Sequence, residues 1–141
     1  MKKLSILILL IVAIYAACEE IEEEPKREPE QEIDNRLGTF TGEGDLIYYD
    51  LYGEIESSYK NMNITVKVKN HVFDEDSYNV NIDYPSKGTL NLQVQKKDIS
   101  IQDENYKGTL ILSSSKCSGT VSIYNKTTGK KSSSYSWSSA K

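Results

Sequence analysis

Alternation of apolar and polar residues runs through most of the chain after Gly38. In the stretch MNITVKVKN, Met62, Ile64, Val66 and Val68 alternate with polar side chains. Because successive side chains of a β-strand point to opposite faces, this pattern predicts strands with one apolar face. Eight segments follow it, with inward positions at Leu46, Tyr48, Met62, Ile64, Val66, Val68, Tyr78, Val80, Ile82, Tyr84, Leu90, Leu92, Val94, Ile99, Ile101, Leu110, Leu112, Val121, Ile123, Tyr135 and Trp137.

Turn-forming residues separate these segments, as in YPSKG at 84–88 and NKTTGKK at 125–131. Eight short strands joined by short turns predict an all-β fold, an antiparallel up-and-down meander. An open meander leaves two unpaired edges, and closure into a small eight-stranded barrel removes both. Gly38, Gly42 and Gly44 suit the bends that a first strand needs in a barrel. A two-sheet β-sandwich remains the alternative, since alternation alone does not separate the two.

The first 17 residues have the three parts of a secretory signal. Lys2 and Lys3 form a basic start, an apolar run follows from Leu4 to Tyr15, and Ala16-Ala17 is a small-residue exit. The apolar run is short for a permanent membrane-spanning helix, which needs about 20 residues. The sequence therefore predicts a signal peptide over residues 1–17.

Ala16-Ala17-Cys18, at the end of this signal, resembles the lipobox of bacterial lipoproteins. The resemblance implies that Cys18 carries a diacylglycerol thioether, becomes the new N-terminus and anchors the protein in a membrane. Tyr15 stands where that family usually has an aliphatic residue. An ordinary exported protein with a chance cysteine at this position is the alternative.

Residues 18–36 predict an acidic, disordered tether. Nine acidic residues lie between Glu19 and Asp34, with prolines at 25 and 29 and few apolar side chains. Such a segment buries too little surface to offset its ordering entropy. An acidic run after a lipidated cysteine also resembles the surface-export signal of lipoproteins in the Bacteroides group, which implies an outer-membrane or cell-surface location. A generic solvated spacer is the other interpretation.

The predicted domain, residues 37–141, has no net charge. It contains twelve lysines, no arginine and twelve aspartates plus glutamates, so the chain's overall charge of −4 comes from the leader and tether. A nucleic-acid-binding domain is expected to carry a basic surface. The composition therefore argues against a nucleic-acid partner.

The opening of the first strand, Gly38-Thr39-Phe40, resembles the Gly-x-aromatic element of calycin-type (lipocalin-like) barrels, including the calycin-like domains of small bacterial lipoproteins. The resemblance covers residues 37–141. It implies that Phe40 closes one barrel end and that the barrel binds a small ligand, and it implies no catalytic residue. The many bulky inward residues favour a filled interior or a small pocket at one mouth.

Residues that could support catalysis or metal binding are few. His71 is the single histidine, and a Cys117–His71 pair is the one candidate nucleophile and base. The residues around Cys117 match no thiol-enzyme signature, and Asp74-Glu75-Asp76 lacks the glycine and distal glutamate of a calcium loop. We therefore expect no enzyme activity, no cofactor and no metal.

Tyrosines are concentrated in IYYDLYGEIESSY, at residues 47–59. Rigid amphipathic rings near a loop are typical of recognition surfaces, although they also cover strand flanks. The candidate ligand-binding residues are Tyr48, Tyr49, Tyr52, Tyr59 and Trp137. The expected partner is a small apolar molecule, and the alternative is a glycan or protein contact by a barrel whose interior is filled.

Overall fold

Seven antiparallel strands form one sheet in the computed structural model, which describes residues 33–141. The strands are β1 (Gly38–Tyr49), β2 (Ile55–Asn70), β3 (Ser77–Tyr84), β4 (Gly88–Gln95), β5 (Tyr106–Leu112), β6 (Lys116–Tyr124) and β7 (Lys131–Ala140). Their order across the sheet is β4-β3-β2-β1-β7-β6-β5, so the first and last strands pair in the middle. The prediction of an all-β fold of antiparallel strands is confirmed, with β4 and β5 at opposite edges of the sheet. The described residues contain no helix, and therefore none that could cross a membrane.

The sheet curls into a half-barrel around its apolar face. The hydroxyl of Tyr84 in β3 donates a 2.9 Å hydrogen bond to the backbone carbonyl of Ser136 in β7. These strands are three positions apart in the sheet, which in a flat sheet is about 14 Å. That distance exceeds the reach of one tyrosine side chain, so the curvature is what brings the two groups together.

The predicted inward positions form the core. Fifteen of them are buried: Leu46, Ile64, Val66, Val68, Tyr78, Val80, Ile82, Tyr84, Leu90, Leu92, Val94, Leu110, Leu112, Val121 and Trp137. Phe40 and Cys117 complete this buried set, and Tyr48, Met62, Ile99, Ile101, Ile123 and Tyr135 pack partly buried against it. Since the described residues include no second layer, the curled sheet buries its own apolar face.

One of the eight predicted strands, the segment DISIQ at 98–102, is reduced to a single bridge between Val94 and Ile101. Asp98 accepts hydrogen bonds from both the backbone N–H and the hydroxyl of Ser100, and this local turn competes with strand pairing. Ile99 also has a positive φ of 52°, which is incompatible with a strand. No ladder joins β4 to β5 within residues 33–141, so the fold described here is an open half-barrel with seven strands.

Two glycines allow close approach between strands at the centre of the sheet. A Cβ atom on Gly44 would lie 2.7 Å from the Ser136 carbonyl, and one on Gly119 would lie 2.9 Å from the Trp137 ring. The pairing of β1 with β2 also shifts register between Gly44 and Leu46. Bulges of this kind increase local twist, so the glycine-rich start of β1 supports the curvature.

Candidate functional site: the tyrosine end

One end of the half-barrel collects most of the candidate tyrosines. It is formed by the β1–β2 turn (50–54), the β3–β4 turn (85–87) and the β6–β7 turn (125–130), which an antiparallel meander places together. We call it the tyrosine end and define it by Tyr48, Tyr49, Tyr52, Tyr59 and Tyr135 with Lys87, Lys130 and Lys131. Lys87 and Lys130 lie in these turns, and Lys131 is the first residue of β7.

The inner part of the tyrosine end contains two edge-to-face pairs of aromatic rings. Tyr48 and Tyr59 meet edge to face with ring centroids 6.4 Å apart. Tyr135 packs edge to face on Tyr84, with centroids 5.4 Å apart. Burial and the neighbouring Tyr135 raise the pKa of Tyr48. Tyr48, Tyr59 and Tyr135 are partly buried and form an aromatic layer on the core at this end, and Tyr84 is fully buried against Tyr135.

Lys87 lies over this layer. Its ammonium nitrogen is 3.8 Å from the centroid of the Tyr59 ring, a cation–π contact. The ammonium group lowers the pKa of Tyr59, because it stabilises the phenolate form. The Tyr48 hydroxyl also lies 3.5 Å from the Lys87 carbonyl, which it faces as a donor. A ligand at this point would meet an aromatic face, two phenol groups and one exposed cation.

The outer part consists of Tyr49 and Tyr52. The ammonium nitrogen of Lys131 is 5.5 Å from the Tyr49 ring centroid, and that of Lys130 is 5.9 Å from the Tyr52 centroid. Tyr52 is 84% exposed, and its neighbours Leu51 and Ile55 are also exposed. Lys130 further donates a 3.0 Å hydrogen bond to the Leu51 carbonyl, which fixes the two turns to each other. This surface combines apolar and cationic groups in contact with solvent.

Trp137 does not join this surface. It is only 4% exposed, and it lies beside Gly44 and Gly119 on the neighbouring strands. It follows Tyr135 by two residues on the same face of β7, so it lies one layer deeper. Its indole Nε1 has no hydrogen-bond partner among the described residues. The structure thus brings Tyr48 and Tyr59 together and places Tyr49 and Tyr52 beside them, whereas Trp137 belongs to the core.

Sequence reasoning missed the lysines and Tyr135. Lys87, Lys130 and Lys131 were noted only as parts of turns, and Tyr135 only as an inward residue. The signal that could have found them is topological. The turns after β3 and β6 lie at the same end as the turn after β1, so their cations meet the tyrosines of β1 and β2.

Cys117 and His71 have separate local roles. The Cys117 side chain is buried in β6, and burial raises the pKa of its thiol, whereas a thiol nucleophile needs a lowered one. His71 lies in the β2–β3 turn, where its Nδ1 accepts a hydrogen bond from the Phe73 backbone. The Cys117 thiol is thus packed in the core, and His71 is hydrogen-bonded within its own turn.

The acidic turn 74–76 is tied into the protein. The Asp74 carboxylate accepts hydrogen bonds from the Asp76 backbone, the Ser77 hydroxyl and the Gln93 amide. These contacts lower its pKa, the Ser77 hydrogen bond most of all. Within residues 33–141, no group of three histidine, cysteine or acidic side chains is arranged to hold a metal ion.

No known protein family, curated protein or solved structure matches this chain. Cys18, the predicted signal peptide and nearly all of the predicted tether lie outside the described residues. The lipoprotein and calycin resemblances therefore stay predictions.

Proposed function

We propose that this protein is a lipid-anchored binding module of the bacterial envelope, and that it binds its ligand at the tyrosine end. The observation that carries the proposal is the Tyr48–Tyr59 pair with Lys87 over it. Rings that are held rigid by packing, yet reachable from solvent, give contact area at low entropic cost. The anchor rests on the resemblance of Ala16-Ala17-Cys18 to a lipobox.

A glycan suits this surface best. Tyr84 crosses the interior to reach Ser136, and large side chains pack beneath the aromatic layer, so contact from outside is favoured over deep insertion. The exposed side of the layer offers ring faces, phenol hydroxyls and ammonium groups. A sugar presents both an apolar face and hydroxyl groups, and it satisfies both kinds of contact at once.

A small apolar molecule is the second candidate. Tyr48, Tyr59 and Tyr135 are only partly buried and pack directly against the core. A flat apolar ligand could lie between their edges and exclude water from them. Such a ligand would gain little from Lys87, Lys130 or Lys131, and this distinguishes it from a glycan.

Glycan-array binding of the full chain, followed by calorimetry on the best hit, tests the ligand class. Tyr59→Ala is expected to weaken glycan binding about ten-fold or more, because it removes one ring contact from the centre of the surface. Phe73→Ala removes an exposed aromatic ring at the opposite end and is the matched control. Affinity for fatty acids or sterols, with no glycan bound, would replace the first candidate by the second.

Mass spectrometry of Cys18 tests the anchor. The expected result is a lipid-modified Cys18 at the N-terminus, and release of Cys18→Ser from the membrane fraction. A chain that keeps residues 1–17, or a mature protein with a free Cys18 thiol, would contradict it.

A further inference from the structure

Val72 and Phe73 form an apolar tip on the β2–β3 turn. Val72 is 80% exposed and Phe73 is 94% exposed. No other described large apolar residue is as exposed as Phe73. Adjacent apolar side chains on a turn tip are costly to leave in water, so they suggest a contact that the isolated domain does not make.

The turn holds this tip outward. The His71 backbone N–H donates a 3.0 Å hydrogen bond to the Ser77 carbonyl, which closes the turn. The Phe73 N–H donates to His71 Nδ1 at 3.2 Å, and their rings meet edge to face. Asp74 accepts the Asp76 N–H at 3.0 Å. The apolar pair is therefore presented by a structured turn.

The chain enters the domain at this same end. Asp34 accepts a hydrogen bond from Tyr78, and Tyr78 pairs with Asn70, the last residue of β2 before the turn. Ile33 is also apolar and 82% exposed. Cys18 precedes Ile33 by fifteen residues, which span about 50 Å at most when fully extended. A lipid on Cys18 would therefore keep this end within reach of the bilayer.

Charged side chains of both signs lie around the tip. Lys96 donates a 2.5 Å hydrogen bond to the Glu75 carbonyl, which places its ammonium group beside the turn. Lys69 lies next to the end of β2, and Lys97 follows Lys96. Asp74 is engaged by Ser77 and Gln93, whereas Glu75 and Asp76 are exposed in the same turn. The lysines can contact lipid phosphates, but the charges balance, so the exposed apolar side chains are what favours the bilayer interface.

We propose that Val72 and Phe73 insert into the bilayer interface as a second membrane contact, with Ile33 beside them. This contact rests on the proposed Cys18 anchor and goes beyond it, because it fixes orientation. The β2–β3 turn faces the membrane, and the tyrosine end points away from it at the far end of β2. The sixteen residues of β2 separate the two ends by about 50 Å.

Fluorescence quenching in vesicles tests this orientation. The full chain, purified from bacterial membranes, is reconstituted in phosphatidylethanolamine–phosphatidylglycerol vesicles with brominated acyl chains. Phe73→Trp is compared with Tyr52→Trp, its matched control at the opposite end, and the signal of Trp137 is subtracted with the parent protein. Interfacial side chains lie about 5–10 Å into the headgroup region, so quenching at 73 is expected to exceed that at 52 by about two-fold or more. Val72→Asp added to Phe73→Trp should remove the quenching, whereas Leu51→Asp should not.

Mass spectrometry of Cys18 in the same sample separates the two proposals. A lipidated Cys18 with equal quenching at both positions, or with more at position 52, overturns the membrane contact and leaves the anchor intact. An unmodified Cys18 overturns the anchor and, with it, the orientation inferred here. Quenching at 73 that survives Val72→Asp also contradicts insertion of the pair.

Discussion

The two ends of the half-barrel use tyrosine in opposite ways. At the β2–β3 end, Tyr78 is fully buried, and Arg36, Lys96 and Asp34 lie against it. At the tyrosine end, Tyr48 and Tyr59 are partly buried, and Lys87 is the group that covers them. Tyrosine thus contributes stability at the end where several groups contact it, and a contact surface at the end where one exposed lysine lies over it.

The largest expected effect is on the free energy of unfolding, and it differs between Tyr78 and Tyr59. Tyr78→Ala should lower the free energy of unfolding by about 3–5 kcal/mol, because it leaves a cavity in the core. Tyr59→Ala should cost clearly less, since it loses the cation–π contact, the edge-to-face contact with Tyr48 and only partial burial. Urea titration of the two variants measures both values. Equal losses would contradict the division into a closed end, which is the β2–β3 end around Tyr78, and a contact end, which is the tyrosine end.

The next effect is a pH dependence that belongs to the closed end. Burial alone would raise the pKa of Asp34, but hydrogen bonds from Arg36 and Tyr78 outweigh it and lower the pKa from 3.8 to about 2. Because the folded-state pKa lies below the unfolded one, Asp34 stabilises the protein above about pH 4. This stabilisation of about 1–2 kcal/mol is lost as the pH falls towards 2.

Asp34→Asn tests this contribution. Chemical denaturation between pH 2 and about 5 should show a shallower pH dependence in the variant than in the parent protein. Glu104→Gln changes an exposed carboxylate for which no comparable contacts exist among the described residues, and it serves as the control. If the stability of Asp34→Asn varied with pH in the same way as that of the parent protein, Asp34 would not contribute to the pH dependence of the closed end.

The smallest effect concerns the lysine over the aromatic layer. Lys87→Gln removes the ammonium group that lowers the pKa of Tyr59, so this pKa should rise towards its ordinary value. NMR titration of the tyrosine ring signals follows the change, and Lys126→Gln in the β6–β7 turn is the control. An unchanged pKa of Tyr59 would show that Lys87 spends its time away from the ring.

The buried face of the sheet was predictable, because it depends only on which face of its strand each residue occupies. The alternation around Val66, Val80 and Leu92 assigned the buried face correctly, because burial on one face follows directly from period two. The prediction of a strand at 98–102 was wrong because Asp98 and Ser100 form a local turn. Their side-chain hydrogen bonds override a weak alternation of only two isoleucines.

The candidate site was predictable only in part. Tyr48 and Tyr59 meet because both lie on the apolar face of paired strands. Alternation from Met62 assigns Tyr59 to the other face, and only the register shift between Gly44 and Leu46 brings it to this one. Trp137 lies on the same face, but its depth in the sheet depends on register, which the sequence does not reveal. Asp34 and Arg36 were assigned to the tether by composition, yet they pack on Tyr78, because a single well-placed ion pair is invisible to a compositional average.

The pairing of β1 with β7 determines when the fold can be completed. Thr41 lies opposite Ala140, so the centre of the sheet joins residues about one hundred positions apart. A chain that is still emerging from a ribosome or a translocation channel lacks its last strand, and β1 has only one neighbour. Contacts of such long sequence separation form slowly. The sheet is therefore completed only after β7 has been synthesised, and until then the edge of β1 that pairs with β7 is open.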